Sequence, residues 1–425
     1  MKNSVTRFDM ITSPRKTPWY MQILIWLLCF PSVWRHRAKI KKTNMKGIKP
    51  PYLLLCNHNA FLDFKISTAA IFPHRANYIV AIDGFIGREG IMRKIGLICK
   101  RKFTSDLVII HHIMSVIKMK KIMAIYPEAR YSLCGTTAVL PESLGKLCKF
   151  LNVPVVTLIT HGHHINHPFW NTRHERKVKP VEAELKLLFT ADEVKNTSVD
   201  NINAKLVEAF QYDDFKWQKD NQIKVKCKDR AEGLHRVLYQ CPVCGTEFMM
   251  DSFGSTLKCN HCGAIWEMTE FGELKRQNGE DKFTHIPDWY EWERANVKNE
   301  VKKGTYSSGK LNVVVDSLPN SKGFIRLGKG ELIHDVNGFK VSGIDFDNDP
   351  FKLEIKPIAL YSCHIEYQYL FKHGDCIDLN TINDTWYIYP DENQKFSITK
   401  MALATEELYF QAIKKIGKTV KPGLA

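Results

Sequence analysis

His58 and Asp63 stand five positions apart in Asn57-His58-Asn59-Ala60-Phe61-Leu62-Asp63, directly after the apolar run Tyr52-Leu53-Leu54-Leu55-Cys56. These residue types at this spacing can do proton chemistry. A histidine at the end of a buried strand can face a cleft. An aspartate across the start of a following helix can fold back to one imidazole nitrogen, orient the ring and stabilise the imidazolium. The ring is then a general base for a hydroxyl, and that hydroxyl can belong to a substrate. Spacing alone is weak support. With sixteen histidines in 425 residues, one such pair is expected about once by chance. A helix-capping aspartate near an ordinary surface histidine is the competing reading.

The second chemical feature is metal-ligating. Cys241-Pro242-Val243-Cys244 and Cys259-Asn260-His261-Cys262 are two C-x-x-C pairs in one short module. Each pair makes a turn that aims two thiolates at one point, and two such turns complete a tetrahedral four-thiolate zinc site. Gly245 and Gly263 follow the pairs, where such turns favour glycine. A closed four-thiolate site is structural, with no open position for catalysis. The other eight of the twelve cysteines are scattered. That is no disulfide framework, and a reducing cytosol is the simpler setting. His161, His163, His164 and His167 read as a polar loop near the cleft rather than as metal ligands.

These groups need elements to position them. Residues 52–56, 78–82, 122–126 and 153–159 read as buried strands, and 181–189 as one more. Residues 62–71, 106–119, 142–151 and 199–210 between and after them read as helices. The alternation predicts an α/β domain over residues 51–222, a mostly parallel sheet with flanking helices. Functional residues in such folds cluster beyond the carboxyl ends of strands. Residues 223–272 form the zinc ribbon, and 273–306 a charged linker or helix. Residues 307–425 read as a small β-rich domain with a hairpin turn at Asn337-Gly338, closed by a helix over 403–416.

The order of four blocks resembles the glycerolipid acyltransferase family, the lysophosphatidate acyltransferases and their relatives, over about residues 50–215. Asn57-His58 with Asp63 is similar to the family's first signature. Gly96-Leu97-Ile98-Cys99-Lys100-Arg101-Lys102 is similar to the second, with either Arg101 or Lys102 as its basic residue. Tyr126-Pro127-Glu128-Ala129-Arg130-Tyr131-Ser132 resembles the third, and Val153-Pro154-Val155-Val156 the fourth. The resemblance implies O-acyl transfer from a coenzyme A or acyl carrier protein thioester, or an acyl phosphate, to an acceptor such as 1-acylglycerol-3-phosphate. His58 and Asp63 would be catalytic, and Arg101 or Lys102 with Glu128 and Arg130 would bind the acceptor's anion. The third block departs from the family's Phe-Pro-Glu-Gly-Thr-Arg-Ser. It lacks Gly-Thr, and Tyr131 stands where an ungapped match places arginine, which puts the acceptor's phosphate in doubt.

The formal net charge is +16. Residues 1–49 hold eleven Lys or Arg against one acid, Asp9, a local excess of +10. Such a segment seeks a polyanion. Between its basic clusters runs an uncharged stretch, residues 18–34, with aromatics at both ends and Pro31 inside. It is short for a span of about 20 apolar residues. It suits an interfacial or re-entrant helix on the cytoplasmic face of a membrane, making the chain a peripheral or monotopic protein, and a hydrophobic helix docked on the protein's own core is the competing reading. Two other readings compete: a catalytically inactive lipid- or partner-binding protein on the same fold, and a nucleic-acid-binding protein built on the ribbon. The second is disfavoured because the charge excess lies beside the apolar stretch, not around the cysteines.

Overall fold

Leu53–Cys56 is fully buried and sits at the centre of a seven-stranded sheet. The structure is a computed structural model describing residues 5–171, 173–345, 347–369, 374–417, 421 and 423–425. Lys2 of the basic N-terminal cluster lies outside them.

The strands of the first sheet are β1 (Lys39–Thr43), β2 (Leu53–Cys56), β3 (Ala76–Ala81), β4 (Ile98–Lys100), β5 (Ile122–Ile125), β6 (Val155–His161) and β7 (Glu182–Phe189). Their order is β1-β7-β6-β2-β5-β3-β4. Every pairing is parallel except β6 with β7. Alternate β2 side chains enter two different cores, as the two-residue period of a strand requires. Leu53 and Leu55 pack with Ile109, Ile113, Leu144, Ile202 and Leu206. Leu54 and Cys56 pack with Leu62, Ile66 and Tyr78. A sheet covered on both faces has strands that read as continuous apolar runs.

Helices α1 (Trp19–Arg35), α2 (Leu62–Ala70), α3 (Glu89–Lys94), α4 (Leu107–Lys118), α5 (Ser143–Leu151), α6 (His163–Asn166), α7 (Ala191–Asn196), α8 (Val199–Ala209) and α9 (Asp214–Asp220) accompany this sheet. Their ends follow local chemistry. The Asp106 side chain accepts from Val108 N–H at the start of α4, and Thr190 and Glu193 form a capping box on α7. No helix among the described residues is long and apolar enough to cross a membrane.

The N-terminal segment does more than its composition implied. The lysine-rich run 39–42 lies within β1, an edge strand. Lys39 and Lys41 meet Glu182 and Glu184 on β7 at 3.3 and 3.1 Å. Charge on an edge strand is compatible with pairing because its outer side faces water. Phe8 is buried with its ring edge-on to Phe85, and its N–H donates to Pro319 O. Phe8 therefore lies between the α/β unit and the C-terminal unit.

The ribbon is a four-stranded antiparallel sheet of β8 (Met250–Phe253), β9 (Thr256–Cys259), β10 (Ile265–Met268) and β11 (Leu274–Arg276). α10 (Ile286–Lys303) follows, with the fully buried Trp289 edge-on to Trp266. The last unit is one antiparallel sheet. Its strands are β12 (Ser307–Ser317), β13 (Ile325–Asp335), β14 (Gly338–Asp345), β15 (Pro350–Ile355), β16 (His364–Glu366), β17 (Cys376–Asn380) and β18 (Thr385–Pro390), ordered β15-β14-β13-β12-β18-β17-β16. α11 (Ile398–Lys415) packs against α10 and β16. It starts five residues before the expected 403, where Ser397 accepts from Lys400 N–H as its cap. Residues from all three units belong to one continuous apolar core.

Candidate active site

β2 ends at Cys56, and the chain turns through residues 57–61 into α2. Asn57 locks the turn to the end of neighbouring β6: its Nδ2 donates to Thr160 O at 3.0 Å, and its Oδ1 accepts from Thr160 N–H at 2.9 Å. Asp63, in the first turn of α2, folds back over the turn. Its Oδ2 accepts from Asn59 N–H at 2.6 Å and Ala60 N–H at 3.0 Å, and lies 3.1 Å from His58 Nδ1. Its Oδ1 lies 2.5 Å from His163 Nδ1.

Burial alone would raise the Asp63 carboxyl. The His163 and His58 hydrogen bonds outweigh burial and hold it well below the usual carboxylate range. An ionised carboxylate only accepts, so Nδ1 of each ring carries a proton and donates to Asp63. His163 is fully buried, whereas the His58 side chain keeps 22% of its surface exposed. His58 is therefore the ring that can meet a substrate.

Residues 126–132, which come after β5, wrap the other side of His58. Glu128 Oε2 accepts from His58 N–H at 3.1 Å, and Ser132 N–H donates to His58 O at 2.8 Å. Tyr126 stacks on the imidazole with centroids 4.2 Å apart, and Tyr131 lies 4.3 Å away at a 43° tilt. Both tyrosines pin the ring's orientation. Ala129 has φ 55°, a left-handed backbone that costs a non-glycine residue roughly 1–2 kcal/mol. Glu128 is buried and its Oε1 has no well-formed partner. Burial raises its carboxyl to about 8, only partly opposed by His58 N–H.

The basic residues expected at an acceptor's anion are placed otherwise. Arg101 is buried, with Nη1 donating to Leu318 O at 2.9 Å and Thr385 Oγ1 at 2.7 Å, and Nη2 to Pro319 O at 3.0 Å. Arg130 is buried with Nη2 2.7 Å from Glu406 Oε1. Glu406 also accepts from Arg294 at 2.6 Å and from Ser362 at 2.8 Å. Lys102 pairs with Asp378 at 3.4 Å. Both arginines are thus engaged by the C-terminal unit, with Arg101 Nε and Arg130 Nη1 left without a hydrogen-bond partner.

No known protein family matches the chain, and no curated protein sequence does. Among solved structures, the 1-acyl-sn-glycerophosphate (LPA) acyltransferase PlsC from Thermotoga maritima is similar at 12% identity and a TM-score of 0.33. The similarity covers 45% of this chain and 81% of that one. A likeness this loose says nothing about chemistry.

Sequence reasoning placed His163 in a polar loop near the cleft and Tyr126 and Tyr131 in the third block, but missed that both tyrosines lie against His58 and that His163 meets Asp63. His163 lies just past β6, which pairs with β2 in parallel, so the ends of the two strands and the turns beyond them meet. That adjacency was the available signal. His164 beside it is buried and pushed down to about 4 by burial, and its N–H donates to Asp214 Oδ2 at 2.8 Å.

The four cysteines also converge, with all four sulfurs within 4.8 Å of one another. Cys241 and Cys262 are 3.7 Å apart, and Cys244 and Cys259 3.8 Å. The two turns are alike. Gly245 N–H donates to Cys241 O and Gly263 N–H to Cys259 O, each at 2.9 Å. Both glycines have φ 74°, the left-handed conformation that lets the turn close without a Cβ penalty. This cluster can hold a metal ion.

Proposed function

We propose that the chain is a membrane-surface O-acyltransferase with His58 as its general base. One observation carries this reading: a partly exposed His58, held by tyrosines on its ring and by ionised Asp63 on Nδ1, keeps a basic Nε2 for a substrate proton. In the proposed reaction Nε2 takes the proton of an acceptor hydroxyl as its oxygen attacks the acyl carbonyl of a thioester. The tetrahedral intermediate collapses, expels the thiolate and recovers a proton from His58. The donor is a fatty acyl group on coenzyme A or acyl carrier protein. The acceptor is a lysophospholipid such as 1-acylglycerol-3-phosphate, or a related amphiphilic alcohol.

The membrane part of the reading rests on α1. Met21, Ile25 and Cys29 are buried, while Trp19, Leu24, Leu27, Leu28 and Trp34 are exposed. An apolar face bordered by Arg15, Lys16, Arg35 and Arg37 fits the interface of an anionic bilayer. The four-cysteine cluster fits structural zinc: thiolates about 2.3 Å from a tetrahedral ion sit about 3.8 Å from one another.

A second reading, a lipid-binding protein that does no chemistry, is favoured by the burial of Arg101 and Arg130. One assay separates the two. Purified protein in mixed micelles is given a labelled acyl donor with lysolipids, glycerol phosphate or uncharged alcohols. Transfer that falls at least about a hundredfold in His58→Ala supports the enzyme. Lipid binding without transfer from any donor would overturn it.

A further inference from the structure

Between α6 and β7, Asn171, Arg173 and Arg176 lie against the segment that enters the ribbon. Asn171 Nδ2 donates to Asp229 O at 3.2 Å, Arg173 pairs with Glu232 at 2.6 Å, and Arg176 Nη2 donates to Arg230 O at 2.8 Å. In the same place three potential metal ligands converge from two parts of the chain. His174 Nε2 lies 3.5 Å from Cys227 Sγ and 3.5 Å from Asp229 Oδ1, and the Cys227 thiol hydrogen-bonds to Asp229. All three ligand atoms fall within 4.8 Å of one another. None of these residues belongs to the four-cysteine cluster.

We propose that His174, Cys227 and Asp229 form a second divalent-metal site, of the zinc class, completed by one water. One imidazole, one thiolate and one carboxylate are a borderline donor set suited to zinc. Ligand atoms about 2.0–2.3 Å from a tetrahedral ion sit roughly 3.3–3.7 Å apart, so both His174 distances already fit. Only the Cys227–Asp229 contact must open. The ion replaces the proton shared there and releases it to solvent. Thiolate and carboxylate then balance its two charges. Two arginines, Arg176 and Arg230, hydrogen-bond to the segment around the site. Arg176 is held on a backbone carbonyl, and Arg230 lies on Met268 O, Cys227 O and Glu267. Exposed His174, at 52%, leaves the fourth position open to water.

The ion would clamp this loop to the ribbon's entry. Phe169, on the same loop, packs 5.8 Å from Tyr131, which in turn lies against His58. The metal site itself needs no acyl transfer, so the two proposals fail separately.

The test is zinc counted by mass spectrometry on the full chain after equilibration with excess zinc and desalting. Two ions per chain are expected, falling to one in Cys227→Ser and in His174→Ala. Cobalt-loaded protein gives a second readout. Cys227→Ser should remove a single-thiolate charge-transfer component and leave the stronger four-thiolate absorption, which also reports that the ribbon is folded. One zinc per chain in the wild type, or an unchanged count and spectrum in Cys227→Ser, would overturn the proposal.

Discussion

Glu128→Gln tests the electrostatics around His58 without touching the ring. The Glu128 carboxyl ionises near 4.5 when solvated and near 8 where burial holds it. Between those values folding takes up a proton. The folded state is therefore favoured at the acid end and loses stability as pH rises through about 8. Applying the two values at pH 5 and pH 8 gives penalties of about 1 and about 4 kcal/mol, a difference of about 3 kcal/mol. Glutamine keeps an acceptor for His58 N–H and carries no charge at either pH. The stability of the variant relative to wild type should thus rise by about 3 kcal/mol across this range. Urea unfolding at half-unit pH intervals, followed by tryptophan fluorescence and circular dichroism, measures it. Parallel profiles for the two proteins would refute the reasoning, because they would mean Glu128 is ionised or solvated in the native state.

Two further perturbations probe other parts of the structure. Glu406→Gln removes the carboxylate against Arg130 Nη2 and one partner of Arg294. Breaking a buried pair on one side costs about 3–5 kcal/mol, so the denaturant midpoint should fall sharply, and an unchanged midpoint would mean the cluster is solvated. Leu27→Glu with Leu28→Glu should weaken sedimentation with anionic vesicles about a hundredfold, from about 3 kcal/mol of lost apolar burial. Equal binding by the variant would remove α1 from the membrane contact.

The legible part of the sequence was local. The β2–turn–α2 passage carries His58 and Asp63 within six residues, and the strand's own apolar run announces it. The cysteine pairs are equally local, because each turn is specified by its own glycine. The illegible part depends on distant partners. Asp63 gains His163 from a hundred residues away, and only the parallel register of β2 with β6 brings them together. Arg101 and Arg130 read as anion-binding residues because their blocks resemble the family's second and third signatures. Their acceptors lie more than two hundred residues later, and no spacing in the sequence encodes that. The Lys39–Lys42 run reads as pure charge until Glu182 and Glu184 are placed beside it.

The pairing of Arg130 with Glu406 has a consequence in time. The carboxylate is 276 residues downstream of the guanidinium it neutralises. At translation rates of about 5–20 residues per second, Arg130 is made roughly 14 to 55 s before Glu406. During that interval the loop around His58 holds an arginine whose native counter-ion does not exist. A nascent chain stalled before α11 would display the first sheet with Arg130 still without Glu406.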